Sequence, residues 1–436
     1  MHTDVIGMKL DRAGDFERAT YRKISWRLIP FLLLCYVCSY LDRVNVGFAK
    51  LQMLSELKFS ESVYGLGAGI FFIGYFLFEV PSNVILHRVG ARKWIARIMI
   101  TWGVLSAGMM FVQSESSFYI LRFFLGAAEA GFFPGIILYL TYWFPAQRRG
   151  RATSLFLTAL PISGIIGGPL SGWVLRDFHG LHGWSGWQWL FLIEGLPSVL
   201  VGLLVLVYLD DRVKDARWLD DAEKQLITHN IAVENRGKIE TSLRATLTNG
   251  RVWHLAALYF SLVISLYGVS FWMPTLIKGL GVKDALDVGL LSAIPWICGM
   301  VAMVLTARSA DRNNERRWHI AIPALIGATG FFISVSLHQD LVISMLGLTI
   351  ATMGILSSLP LFWSLPTAIL GGASAAAGIA LINSVGNLSG FLGPYVVGMI
   401  KEATHSTDAG MYMLALFLVL GALLTLLVPA ALLRQD

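Results

Sequence analysis

LIPFLLLCYVCSYLDRVNVGFA, residues 28–49, is an apolar run that carries a full acid and a full base, Asp42 and Arg43, toward its end. Its length suits a helix that crosses a bilayer, which takes about 20 mostly apolar residues. An ionised side chain at the centre of such a helix costs about 2.5–3.5 kcal/mol on insertion scales. Two idle charges at that cost are not expected, so the pair needs partners or a task inside the membrane. The helix that holds it must therefore face other helices as well as lipid.

The rest of the chain agrees with a membrane setting. Its 436 residues are 56% hydrophobic, 12% aromatic and 14% charged, whereas soluble domains carry about 25% charged residues. Apolar runs recur at 25–49, 63–86, 93–112, 118–143, 152–175 and 187–209, then at 252–275, 286–308, 318–336, 341–363, 373–396 and 410–433. The fold class this predicts is an all-α polytopic membrane protein with twelve transmembrane helices. Cys35, Cys38 and Cys298 all fall inside apolar runs. They read as small packing residues, because Cys35-x-x-Cys38 lies on a lipid-embedded helix without a thioredoxin-like context. The first 24 residues are polar and basic and the run behind them is too long for a signal-peptide core, so no cleaved leader is expected.

Twelve spans place both termini on one side. The loops on that side hold Arg88, Arg92, Lys93, Arg97, Arg148, Arg149, Arg151, Arg308, Arg312, Arg316 and Arg317, and the stretch 210–251 holds eight more Lys and Arg. With the chain ends they account for about 25 of the 34 Lys and Arg, against about six, including Lys50, Lys58 and Arg176, in the opposite loops. The positive-inside rule then predicts cytoplasmic termini. The net charge of +6 follows from this topology and does not call for a nucleic-acid partner.

The halves resemble each other at an offset of about 225 residues. NVILHRVGARKW (83–94) follows the second span and ARSADRNNERRW (307–318) the eighth. GGPLSG around Pro169 is matched by GFLGPYVVG around Pro394. The organisation expected is a cytoplasmic N-terminal segment (1–24), a six-helix half (25–209), a solvated linker loop (210–251) and a second six-helix half (252–436). Two pseudo-symmetric halves put a binding site between them at mid-membrane. Small-residue faces suited to close helix contact occur at Gly65/Gly69, Gly164/Gly168/Gly172 and Gly386/Gly390.

These features, with LRFFLGAAEAGFFPG (121–135), resemble the major facilitator superfamily. Its loop signature, G-x-x-x-D-R-x-G-R-[RK], is met at or beside Arg88, Gly90, Arg92 and Lys93, with Asn83 and His87 at the Gly and Asp places; the second half keeps Asp311–Arg312. YLDRVNVGFA, FLFEVPSN, VGARKWIA, GAAEAGFFPGIILYLTYWFP, GWQWLFLIEGLPS and SLYGVSFWMP more specifically resemble the anion:cation symporters, such as bacterial permeases for 4-hydroxyphenylacetate, phthalate and tartrate. The resemblance implies the major facilitator fold and uptake of an organic anion with protons. It also implies that Asp42 and Glu129 are the proton-coupling acids.

The residues themselves support a coupled site. Asp42, Arg43, Glu79, Arg122, Glu129 and Glu194 are the ionisable groups inside spans away from the cytoplasmic ends, all in the first half. Arg122 and Glu129 are seven apart and share a helix face, while Asp42 and Arg43 diverge by about 100°. An acid beside arginine stays ionised, and takes a proton when a ligand carboxylate draws the arginine away. Arg43 and Arg122 are candidates for the ligand carboxylate through their bidentate forks. Tyr40, Tyr75, Trp363, Asn383 and Asn387 are candidates for the rest of the ligand. Glu79 and Glu194 read as structural partners of neighbouring helices.

The function expected is a non-enzymatic, proton-coupled symporter of a small organic anion. It would act as a monomer in a bacterial inner membrane, with the proton gradient as driving force and no cofactor or metal. An exchanger or efflux transporter of the same superfamily, or a non-transporting receptor, is the alternative.

Overall fold

The computed structural model describes residues 2–235, 248–336, 340–369 and 373–429. Among these, eleven helices are long and apolar enough to cross a membrane. They are Gly14–Leu57 (span 1), Glu61–Val89 (span 2), Ala91–Phe111 (span 3), Glu115–Thr141 (span 4), Arg148–Asp177 (span 5) and Gly186–Tyr208 (span 6). In the second half come Gly250–Gly279 (span 7), Ala285–Asn313 (span 8), Arg317–Ser336 (span 9), Leu341–Pro366 (span 10) and Asp408–Leu427 (span 12). The helix Ala373–Thr404 takes the place of span 11 and packs along spans 2 and 7. Each apolar run in the sequence has become a helix, and several helices continue into the polar turns that flank them. Residues 236–247 of the linker and 430–436 of the second half lie outside the described residues.

Span 4 is interrupted at Ala130–Gly131, whereas span 1 runs on through Asn45, whose N–H is bonded to the Leu41 carbonyl at 2.9 Å. At Gly131 the backbone turns to φ +83°, and a Cβ there would collide with Ser82 Oγ. Non-helical backbone at membrane depth is tolerated only where protein or a cavity surrounds it. The break in span 4 therefore marks where a cavity should be sought.

The halves meet along two seams, span 5 on span 8 and span 2 on span 11. A Cβ on Gly168 would stand 2.5 Å from the carbonyl oxygen of Gly289, and one on Gly65 would stand 2.7 Å from that of Pro394. The glycine stripes thus serve as backbone-to-backbone contacts between halves. Beyond them, at the face opposite the chain termini, Lys50 and Lys401 flank Glu61 at 2.6 and 2.7 Å. Glu402 there accepts the backbone N–H of Ser62 at 2.8 Å. These contacts close that face. Gly168→Val should pry it open, because overpacking such a contact costs about 1–3 kcal/mol. A cysteine placed at Ser292, buried in the same seam, should then react faster with an impermeant maleimide.

Two loop expectations change. The linker is not a bare solvated loop. Residues Asp221–Asn235 form a helix that buries Ile227 and joins span 1 through Lys23–Glu223 at 2.7 Å. Trp218 anchors the approach to it by stacking on Trp143, ring centroids 5.7 Å apart. A polar helix of this kind has too narrow an apolar stripe to stand out from loop composition. In the first half's signature loop, the acid missing at His87 is supplied from the end of span 6. Asp211 Oδ1 accepts the Arg92 backbone N–H at 2.8 Å and so caps the start of span 3.

Candidate functional site

The break in span 4 at Ala130 follows directly on Glu129, and spans 1 and 4 bring Arg43 and Glu129 together. Arg43 Nη2 pairs with Glu129 Oε1, which also accepts the Ser39 hydroxyl at 2.6 Å. Arg43 Nη1 donates to the Tyr267 hydroxyl at 3.0 Å, and that hydroxyl donates to Asn387 Oδ1 at 3.4 Å. One hydrogen-bond chain, Glu129–Arg43–Tyr267–Asn387, therefore crosses from the first half to the second. Arg43 also lies 5.5 Å from the Phe71 and Tyr75 ring centres, which suits a weakly hydrated guanidinium.

These groups border a cleft of about 670 Å³, its mouth included, lined among others by Arg43, Tyr75, Tyr259, Tyr267, Trp363, Asn383 and Asn387. Leu157, Leu160 and Met303 also line it, and they lie toward the ends of spans 5 and 8 nearer the chain termini. The cleft is therefore on the terminal side of the closed seams. Tyr259 stacks on Phe362 at 4.7 Å and meets the edge of Trp363 at 4.8 Å. This builds an aromatic wall opposite the arginine.

A second contact crosses the halves about one turn nearer the terminal face. Glu79 Oε1 accepts from the Asn383 amide at 2.8 Å and Oε2 from the Ser384 hydroxyl at 3.0 Å. Glu79 thus holds a cavity amide in place and is more than a helix-end partner. Glu79→Gln presents one amide to two donors and should loosen Asn383. Losing one charge-assisted bond of about 1.5–3 kcal/mol predicts ligand binding roughly tenfold weaker, measurable by titration calorimetry.

The remaining candidates are placed elsewhere. Asp42 points away from the cleft into the first half and accepts Trp102 Nε1–H at 3.0 Å, Ser106 Oγ–H at 2.6 Å and the Ser198 hydroxyl. Tyr40 lies in a separate cleft, its hydroxyl 3.0 Å from Ser270 Oγ. Arg122, expected near the ligand, is fully buried between spans 4 and 2, donating to the carbonyls of Gly67 at 3.1 Å and Ala68 at 3.2 Å. The structure brings Arg43, Tyr75, Trp363, Asn383 and Asn387 around one cavity with Glu129 behind Arg43, but not Asp42, Tyr40 or Arg122. Tyr259 and Tyr267 were not singled out by the sequence, where they merge into the aromatic content of span 7.

Among the described residues, twelve long helices in two halves, closed at one face around a cavity, have the layout of a membrane transporter. The chain belongs to the major facilitator superfamily, whose family model matches residues 32–394. It is 50% identical to an Agrobacterium vitis protein named "Putative tartrate transporter", over 95% of this chain and 92% of that one. It is 48% identical to the Pseudomonas putida "Putative metabolite transport protein NicT", over 96% of each. An Acinetobacter baumannii "Quinolone resistance transporter" is 42% identical over 97% of this chain and 98% of its own. Among solved structures, a D-xylose–proton symporter superposes with a TM-score of 0.73 at 17% identity, covering 93% of this chain and 98% of that one. At that identity the likeness is one of fold.

Proposed function

We propose that this transporter carries a small organic anion across a bacterial inner membrane together with protons, by alternating access. The observation that carries this reading is Arg43: a buried guanidinium at the cavity wall whose two amino groups are held by Glu129 and by a tyrosine of the other half. An incoming carboxylate competes with Glu129 for the same fork. Glu129 then takes a proton and Arg43 pairs with the ligand, so binding and protonation are linked. Asn383, Asn387 and Tyr267 offer donors and acceptors to the ligand's hydroxyls or second carboxylate, and Tyr259 and Trp363 pack on its apolar part. Asp42 supplies a second protonation site within the first half. With the basic loops facing the cytoplasm, the cleft opens inward, and the ligand and protons leave toward the higher-pH side. One chain suffices, and the proton gradient is the only driving force required.

The names of the relatives support an organic anion but not one anion. L-Tartrate and 4-hydroxyphenylacetate are the discriminating probes for a thermal-shift test of the purified protein. A ligand at 100 times its Kd should stabilise the protein by about 2.7 kcal/mol, and the shift should vanish in Arg43→Gln. No shift from any carboxylate in a wide panel would set the reading aside. A second reading, export of a ring-bearing anion, is favoured by the aromatic wall and by the relative named for quinolone resistance. Outward movement against a gradient in inverted vesicles would select it.

A further inference from the structure

We propose that Glu194 is a proton-carrying site that feeds Asp42 from the face opposite the chain termini; this rests on the proton-coupled reading above. The carboxylate is 3% exposed and borders a second cleft between the halves, lined also by Tyr40, Asn45, Ser171, Ser270 and Trp296. Ser171 donates to its Oε1 at 2.8 Å. Its Oε2 is buried, and Asn45 of span 1 is the side chain that partners the carboxylate from that helix. A buried carboxylate whose side-chain partners, a hydroxyl and an amide, are both neutral can be held as the acid as well as the ion.

What lies one helical turn away gives that carboxylate a purpose. Glu194 and Ser198 are four apart on span 6, and the Ser198 hydroxyl is bonded to Asp42. Span 6 enters from the face opposite the termini, so Glu194 is nearer that face than Ser198 by about 6 Å of helix rise. Glu194 is faced by Asp42 and Asn45 from span 1 and by Ser171 from span 5. The neighbouring Gly195 packs on Gly103 and Ala107 of span 3, and the second half contributes Ser270, Ser292 and Trp296 to the cleft. Asp42 is the charged group among them. When the seams part, external water reaches this cleft. Glu194 then takes a proton on Oε2 and releases it through a bridging water and the Ser198 hydroxyl. Asp42 becomes the neutral acid and Glu194 returns to the carboxylate.

The test compares wild type, Glu194→Gln and Glu194→Asp in proteoliposomes with labelled L-tartrate, or with whichever carboxylate gives the thermal shift. Two readouts are needed: uptake driven by an imposed proton gradient, and ligand-for-ligand exchange at equal pH, which moves no net protons. Glu194→Gln keeps an acceptor for Ser171. It should slow gradient-driven uptake at least about tenfold, in the range of a lost proton-transfer group, and leave exchange within about twofold of wild type. Glu194→Asp should recover most of the driven uptake. Unchanged driven uptake in Glu194→Gln, or an equal fall in driven uptake and exchange, would overturn the proposal. Wild-type uptake that ignores the proton gradient would instead remove the reading beneath it.

Discussion

Arg43→Lys is expected to cut anion uptake at least about a hundredfold while leaving a folded, monodisperse protein. Lysine keeps the positive charge but offers a single Nζ where arginine holds Glu129 and Tyr267 with two separate nitrogens. Bonds to charged groups are worth about 1.5–3 kcal/mol each, and every 1.4 kcal/mol is tenfold. Loss of the Tyr267 contact also frees the Asn387 end of the chain that joins the halves. Removing the charge altogether, as in Arg43→Ala, leaves Glu129 buried without its partner, a change that costs about 3–5 kcal/mol. That variant should lower thermal stability as well as transport. The lysine variant is thus the cleaner probe, read by uptake of labelled ligand and by elution profile. Transport by Arg43→Lys within threefold of wild type would remove Arg43 from the binding site.

The two acids should fail differently. Glu129→Gln takes away the group that competes with the ligand carboxylate for Arg43. Binding should be retained or tightened, exchange should persist, and uptake against a gradient should be lost. At Asp42 a carboxylate accepts three donors, from Trp102, Ser106 and Ser198. Asparagine keeps one oxygen and sets an N–H₂ against at least one of them, so Asp42→Asn loses both the proton site and a satisfied network. Driven uptake should fall to background, and exchange should fall more than in Glu129→Gln. Counterflow and driven uptake measured on the same proteoliposomes separate these outcomes. Equal driven uptake in both variants and wild type would refute the role given to the acids.

The helices were open to reading because a bilayer leaves the backbone few options: long apolar runs must be helical, and their number set the layout. The divergence of Asp42 and Arg43 was likewise readable, since 100° per residue sends neighbours to different surroundings. Arg122 shows where the same reasoning stops. Its helix face is shared with Glu129, but a long side chain reaches well past its face, and the backbone carbonyls at Gly67 and Ala68 claim it. Glu79 could not be paired from sequence because its partners lie 304 and 305 residues away. Tyr267 was hidden for a similar reason: an aromatic on an apolar helix acquires a role only when the opposite half presents an arginine. The break at Gly131 had a legible signal in a Gly set beside the intramembrane charge of Glu129.

The central claim is that anion and proton move together, and one measurement addresses it. The purified protein is reconstituted into liposomes, and labelled L-tartrate, or the carboxylate that gives the thermal shift, is supplied with an imposed inward proton gradient. The account predicts accumulation above the external concentration, alkalinisation of the outside medium in step with uptake, and collapse of both on adding a protonophore. Uptake of the same size with and without the gradient, or dependent only on a counter-anion inside the liposomes, would contradict it.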